Sequence, residues 1–160
     1  MITAYIGIGS NLEREKHINA AIVELSHIGE ISRLSNIYES EAVGFAGEPF
    51  YNLVVEMKTD MGLTDFSHAL RKIELKLGRK ANAAKFEPRT LDLDIVLFGE
   101  QTSEQNPTVP RSDIYQYAFV IQPLYELCPD LVVPNDGQTI AQIYHQAKHI
   151  DSLKKIALWF

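Results

Sequence analysis

Apolar positions along this chain fall into short strand-like runs and longer helical stripes. Ala4 to Ile8 is apolar and predicts a first strand, interrupted by Gly7 and Gly9 and ended by a turn at Gly9-Ser10-Asn11. Ile18, Ile22, Leu25 and Ile28 recur at a period of about 3.6 residues, so a helix is expected from Glu15 to Ser26, with Gly29 as its C-terminal glycine. Glu30 to Glu39 reads as a second strand through Ile31, Ile37 and Tyr38. Ala42 to Pro49, carrying Gly44 and Gly47, reads as a loop, and Tyr51 to Lys58 as a third strand. Phe66, Leu70, Ile73 and Leu77 form the stripe of a second helix, N-capped by Thr64 and closed by Gly78. Arg79 to Arg89 has no apolar period and reads as a loop, whereas Leu91 to Phe98 is the clearest strand. Past Pro107 and Pro110, Ala118 to Pro123 fits a strand or a helix, and Thr139 to Ala147 a final helix.

The order strand, helix, strand, strand, helix, strand is the split βαβ arrangement of ferredoxin-like folds. It predicts an α+β protein, a two-layer antiparallel sheet with helices packed on one face. The length of 160 residues suits a single domain, 1–160. Hydrophobic residues at 46% and charged residues at 22% exclude a disordered chain. A formal net charge of -6 disfavours a general nucleic-acid binder, which needs a basic face. Cys128 is the lone cysteine, so no intrachain disulfide can form and a reducing compartment fits. No apolar run approaches the ~20 residues of a membrane span. Met1-Ile2-Thr3-Ala4-Tyr5 lacks the basic and apolar regions of a signal peptide. The expectation is a cytoplasmic protein without nucleic-acid or membrane partners.

Candidate chemistry concentrates at Arg89-Thr90-Leu91-Asp92-Leu93-Asp94-Ile95. On a strand, Asp92 and Asp94 share a face, roughly 6.5 to 7 Å apart at Cα, while Leu91, Leu93 and Ile95 face the core. Two carboxylates on an otherwise apolar strand call for a cation, and oxygen-only ligands favour Mg²⁺ or Mn²⁺. The plainer reading is a wet face with the aspartates solvated or paired to Arg89. Local charge favours the site. From Arg71 to Arg89 seven cations (Arg71, Lys72, Lys76, Arg79, Lys80, Lys85, Arg89) face two anions, Glu74 and Glu87, in a chain that is acidic overall. Cations beside a carboxylate pair suit a metal-bound polyanion such as a nucleoside triphosphate. His17, His27, His68, His145 and His149 show no metal-ligand spacing and read as surface residues, and Cys128 before Pro129 reads as structural.

These segments together resemble the 6-hydroxymethyl-7,8-dihydropterin pyrophosphokinase family of folate biosynthesis. The resemblance runs through Gly9-Ser10-Asn11, Tyr38-Glu39-Ser40, Val43-Gly44, Phe50-Tyr51-Asn52, Ile73-Glu74, Gly78-Arg79, Pro88-Arg89-Thr90-Leu91-Asp92-Leu93-Asp94-Ile95, Thr108-Val109-Pro110 and Phe119-Val120. It implies a transferase of the kinase type, a monomer. Such an enzyme moves the pyrophosphoryl unit of ATP to the pterin hydroxymethyl group and releases AMP, with two Mg²⁺ ions on Asp92 and Asp94. It implies catalytic roles for Arg79 and Arg89 as phosphate clamps on a closing loop, alongside the two aspartates. Pterin would be held between Phe50 and Phe119, with Asn52 and contacts at Ser40 and Val43. The nucleotide would be held by Glu74, Lys85, Phe86, Ile95, Thr108 and Arg111.

The chain departs from the family pattern on the nucleotide side. Phe86 and Glu87 stand where the family has tryptophan and glycine, Ala81 and Tyr117 where it has arginines, and Arg111 where it has histidine. Each lost cation is expected to weaken triphosphate binding by about 1.5 to 3 kcal/mol. Arg111, Lys80 and Lys85 are the cations available to compensate. The alternative implied by these departures is a non-catalytic or altered-specificity paralogue that binds pterin or nucleotide.

Overall fold

A computed structural model of the chain describes residues 1–40, 49–78 and 91–159. Its elements in chain order are β1 (Ile2–Ser10), α1 (Arg14–Ser26), β2 (Glu30–Leu34), β3 (Ile37–Ser40), β4 (Phe50–Thr59), α2 (Leu63–Lys76), β5 (Asp92–Phe98), α3 (Asp113–Gln116), α4 (Ala118–Leu127), α5 (Ile140–Gln146) and β6 (Lys154–Ile156). The six strands form one sheet in the order β5-β1-β4-β3-β6, with β2 also on β4, and all pairings are antiparallel. With β2 and β3 taken as one interrupted strand, the split βαβ order is present, and β6 extends it. The expected loops at 42–48 and Arg79 to Arg89 lie outside the described residues.

Period-2 alternation puts Ala4, Ile6 and Ile8 of β1, Leu53, Val55 and Met57 of β4, and Leu93 and Ile95 of β5 on one face. There they pack with Ile18, Ala21 and Leu25 of α1 and Phe66, Leu70 and Ile73 of α2. The other face is not left to solvent. Tyr5, Val54, Val96 and Leu97 form a second core with Val120, Ile121 and Leu124 of α4 and Ile140 and Ile143 of α5. Helices therefore cover both faces, α1 and α2 on one and α4 and α5 on the other. The segment at Ala118 is a helix, and it runs through Pro123 to Leu127. Apolar residues on nearly every side of α4, set between sheet and α5, hide its period from a sequence reading.

Several local expectations are corrected. Gly7 and Gly9 do not interrupt β1, which runs to Ser10, because neighbours on both edges hold it in register. The expected second strand breaks at Ser35, whose N–H donates to the Val54 carbonyl while its Oγ accepts from the Val54 N–H at 2.9 Å. The N-cap of α2 is Gly62, so Thr64 lies inside the first turn. His17 is buried rather than at the surface. No side chain caps α1. Instead, His17 Nδ1 donates to the Leu12 and Glu13 carbonyls at 2.8 and 3.1 Å and closes the turn before the helix. Gly78, at φ 112°, does follow the end of α2 as expected. Among the described residues, no helix is long and apolar enough to cross a membrane.

Gly29 stands beyond the C-cap of α1, which is His27, so it does not serve as the helix's C-terminal glycine. Its constraint is proximity: an added Cβ would lie 2.4 Å from the Lys58 carbonyl oxygen and 2.8 Å from Met57 Cε. Gly29→Ala is expected to destabilise the fold by about 1–3 kcal/mol, since β4 backbone must move. Urea unfolding checks this, and an unchanged midpoint would contradict the close packing of the α1–β2 turn on β4.

Candidate active site

The face of the sheet toward α4 carries the polar side chains. Leu93 and Ile95 point into the α1/α2 core, so Asp92 and Asp94 project to the opposite side. The central strand aligns them. Gly9 of β1 stands opposite Asp92 of β5 and opposite Asn52 of β4, while Gly7 stands opposite Asp94 and Val54. Asn52 is in turn opposite Tyr38 of β3. One transverse row therefore reads Asp92, Gly9, Asn52, Tyr38. With strands about 4.8 Å apart, the Asp92 and Asn52 backbones lie roughly 10 Å from each other across Gly9.

Glycine makes this row a hollow. A Cβ at Gly9 would approach Asn52 Oδ1 to 3.1 Å and Phe50 Cδ1 to 3.5 Å. Asn52 Nδ2 donates to Ser40 Oγ at 2.7 Å, which leaves Oδ1 over Gly9 as an acceptor. Phe50, half-buried, lines the same floor. Phe119 opens α4 and stacks on Tyr117 with ring centroids 5.0 Å apart. Tyr38 donates its hydroxyl proton to Glu126 of α4, tying that helix to β3 beside the row.

Negative charge gathers at the β5 end. Arg111 donates its backbone N–H to the Val96 carbonyl at 2.9 Å, which anchors it beside the strand. Its Nε bonds Asp113 Oδ2 at 2.9 Å, and its Nη2 lies 3.7 Å from Asp94 Oδ1. Asp94 sits in a recess of the face, with 42% of its side chain accessible. Desolvation raises its carboxyl from 3.8 to about 6; Asp92, Glu74 and Asp113 push the same way, and Arg111 opposes them. A carboxylate pair with oxygen-only donors fits a hard divalent cation. Among the described residues no cluster of three or more His, Cys, Asp or Glu could hold a metal, so water and phosphate oxygens would have to complete the shell.

The structure thus brings together Asp92, Asp94, Arg111, Asn52, Ser40 and Phe50 on one face. Three other expected nucleotide residues stand apart. Glu74 is buried under β5, where its Oε2 accepts the Leu93 N–H at 2.9 Å and its Oε1 lies 3.6 Å from Arg71 Nη1. The Ile95 side chain belongs to the α1/α2 core, so only its main chain could meet a ligand. Thr108 is exposed and bonds the Glu104 carbonyl. Val43, Arg79, Lys85, Phe86 and Arg89 lie outside the described residues. Cys128 is buried, and burial pushes its thiol up to about 12, in keeping with a structural role. Sequence reasoning missed Gly9 and Asp113. The signal for Gly9 was its spacing of two from Gly7 within an apolar run, which places both glycines on one strand face.

Residues 5–129 match the family described as 7,8-dihydro-6-hydroxymethylpterin-pyrophosphokinase. The 2-amino-4-hydroxy-6-hydroxymethyldihydropteridine pyrophosphokinase of Haemophilus influenzae is 35% identical over 151 residues, covering 91% of this chain and 93% of that protein. The protein of the same name from Pseudomonas aeruginosa is 38% identical over 144 residues, covering 87% and 88%. The crystal structure of Plasmodium falciparum HPPK-DHPS wild type with STZ-DHP superposes with a TM-score of 0.71 at 14% identity, a likeness of fold. It covers 98% of this chain, which spans 47% of that longer one.

The raised Asp94 pKa makes a signed stability prediction. An acid that ionises near 3.8 when unfolded and near 6 when folded binds its proton more tightly in the fold. Its contribution to stability is therefore lost as pH rises from about 4 to 6 and stays lost above. Asp94→Asn removes the partly desolvated charge, so it should stabilise the ligand-free protein at pH 7 by about 1 kcal/mol after solvent screening. The gain should vanish below about pH 4. Thermal melts of both proteins across pH 3–8 check this, and a gain that grew on acidification would contradict the assigned shift.

Proposed function

The chain belongs to the 7,8-dihydro-6-hydroxymethylpterin-pyrophosphokinase family, and from that membership we propose how its residues share the reaction. The enzyme transfers pyrophosphate from ATP to the hydroxymethyl group of the dihydropterin, a step of folate biosynthesis. The hydroxymethyl oxygen bonds to the β-phosphorus, the bond from that phosphorus to the α-phosphate oxygen breaks, and AMP leaves. The hydroxyl proton is lost to solvent or a neighbouring base. The reading rests above all on the row Asp92, Gly9, Asn52, which sets a carboxylate and a fixed amide on either side of a hollow.

In this division Asn52 and Phe50 hold the pterin. Asn52 Oδ1 accepts from the amino and ring N–H edge of the heterocycle, and Ser40 keeps the amide turned. Phe50 and Phe119 offer ring faces to the flat bicycle, and Val43 adds a backbone contact. With the pterin against Gly9, its hydroxymethyl arm is directed along the row toward Asp92. Asp92 and Asp94 would hold two Mg²⁺ ions, whose charge would offset that of the triphosphate and lower the pKa of the attacking hydroxyl. Arg79, Arg89 and Lys85 clamp phosphates, and Phe86 and the main chain at Ile95 flank the nucleotide, whereas Glu74 supports β5 from beneath and Thr108 stays outside the site. In-line positioning by these groups supplies most of the catalysis expected for phosphoryl-type transfer. The same reading makes the chain one domain, 1–160, acting as a cytoplasmic monomer without nucleic-acid or membrane partners.

AMP release is measured with ATP, Mg²⁺ and 6-hydroxymethyl-7,8-dihydropterin; no AMP at saturating substrate would sink the catalytic reading. Asp94→Ala should lower turnover by about two orders of magnitude or more while the protein stays folded. Activity within tenfold of the parent would remove Asp94 from the metal site. Asn52→Ala should weaken pterin binding about tenfold. Gly9→Ala should also weaken pterin binding, by filling the floor, with a melting temperature within a few degrees of the parent. Calorimetry with pterin alone reads both, and an unchanged dissociation constant in either variant places the pterin elsewhere.

A further inference from the structure

Arg111 is tethered at one end and committed loosely at the other. Its main chain is bonded to β5, and its Nε makes a 2.9 Å hydrogen bond with Asp113. Its outer Nη2 stands 3.7 Å from Asp94 Oδ1, ion-pair distance but not a hydrogen bond. Both side chains remain partly accessible, at 38% and 42%. The guanidinium therefore shares the Asp94 carboxylate oxygen that a divalent cation would need. Asp113 keeps hold of Nε whichever partner the outer nitrogens face.

We propose that Arg111 is a resident counter-ion of Asp94: it opposes binding of a bare divalent cation there, and turns from Asp94 to the phosphates when cation and triphosphate arrive together. This rests on the reading of Asp92 and Asp94 as metal ligands. A fixed positive charge a few ångströms from Asp94 repels an incoming dication and holds one of its ligand atoms. A triphosphate reverses the balance, because its oxygens offer the Nη fork charged hydrogen bonds stronger than the long contact to Asp94. Asp113 is then the positioning residue that lets the fork turn without releasing Arg111. The consequence is coupled loading: metal binds poorly alone and well with nucleotide, so the carboxylates are not filled before the substrate is present.

The probe is Mn²⁺, titrated by calorimetry and by electron paramagnetic resonance, first alone and then with a non-hydrolysable ATP analogue. Arg111→Met should bind Mn²⁺ alone about tenfold more tightly than the parent, and the Mn²⁺–nucleotide complex about tenfold more weakly. Arg111→Gln repeats the test if the methionine variant does not fold, and Arg111→Lys, which keeps the charge, should stay close to the parent for Mn²⁺ alone. No gain in affinity for Mn²⁺ alone in either neutral variant overturns the proposal. Asp94→Asn separates the two readings. If it abolishes Mn²⁺ binding while Arg111→Met changes nothing, the metal site stands and the counter-ion role fails. If Asp94→Asn binds Mn²⁺ as the parent does, the metal site itself is wrong and the counter-ion role falls with it.

Discussion

The pairing of β1 with β4 on one edge and β5 on the other is the constraint from which the rest of the site follows. Gly9 meets Asn52 and Asp92 only in this register. A slip of one residue in the β1–β5 ladder would turn every side chain of β5 to the other face, driving Asp92 and Asp94 into the α1/α2 core and Leu93 and Ile95 out of it. The core prevents this. Ile6, Ile8, Leu53, Val55, Leu93 and Ile95 are buried together against α1 and α2, so the polar row on the opposite face is held in place by apolar packing behind it. The irregularity in the β1–β5 ladder falls beyond the site, where Tyr5 faces Leu97 and Ile6 faces Ile95, and Val96 is the extra residue. It leaves Asp92 and Asp94 in clean alternation while sending Val96 and Leu97 together into the second core.

That second core explains how the polar face can exist at all. The α4–α5 pair buries Tyr5, Val54, Val96 and Leu97 and ties its edge to β3 through Tyr38 and Glu126. The row of Asp92, Gly9 and Asn52 continues the same sheet face past that apolar patch. Burial beneath α4 and openness above Gly9 are two parts of one surface. The surrounding protein raises the Asp94 pKa, and so does the proximity of Asp92, Glu74 and Asp113. Among the described residues, Arg111 is the cation that opposes this shift at Asp94. Such shifts are common at functional sites.

The sequence reading was most reliable where one local period decided the element. β5 with its two same-face aspartates, the stripe of α2 and the Thr139 start of α5 were all legible. Thr139 caps α5 in a box with Gln142, an arrangement visible in residue types alone. It was least reliable where the reason for a residue lies across the fold. Gly29 looks like a helix terminator but is small because the Lys58 carbonyl is adjacent. His17 looks like a surface histidine but closes the turn before its own helix. Ser35 breaks an apparent strand because its side chain takes a ladder position on Val54. α4 could not be told from a strand because it is apolar on nearly all sides and contains Pro123.

By itself the sequence determined that Asp92 and Asp94 share a face, that cations cluster before them, and that an α+β sheet of split βαβ order carries them. These follow from periods of two and of about 3.6 residues and from local charge, which neighbours in the chain suffice to encode. Only the tertiary structure decided that Gly9 lies between Asp92 and Asn52, that helices cover both faces of the sheet, and that Arg111 reaches Asp94 while Glu74 turns under β5. Cross-strand register and long-range ion pairs depend on how two cores pack against one sheet. No local period along the chain carries that information.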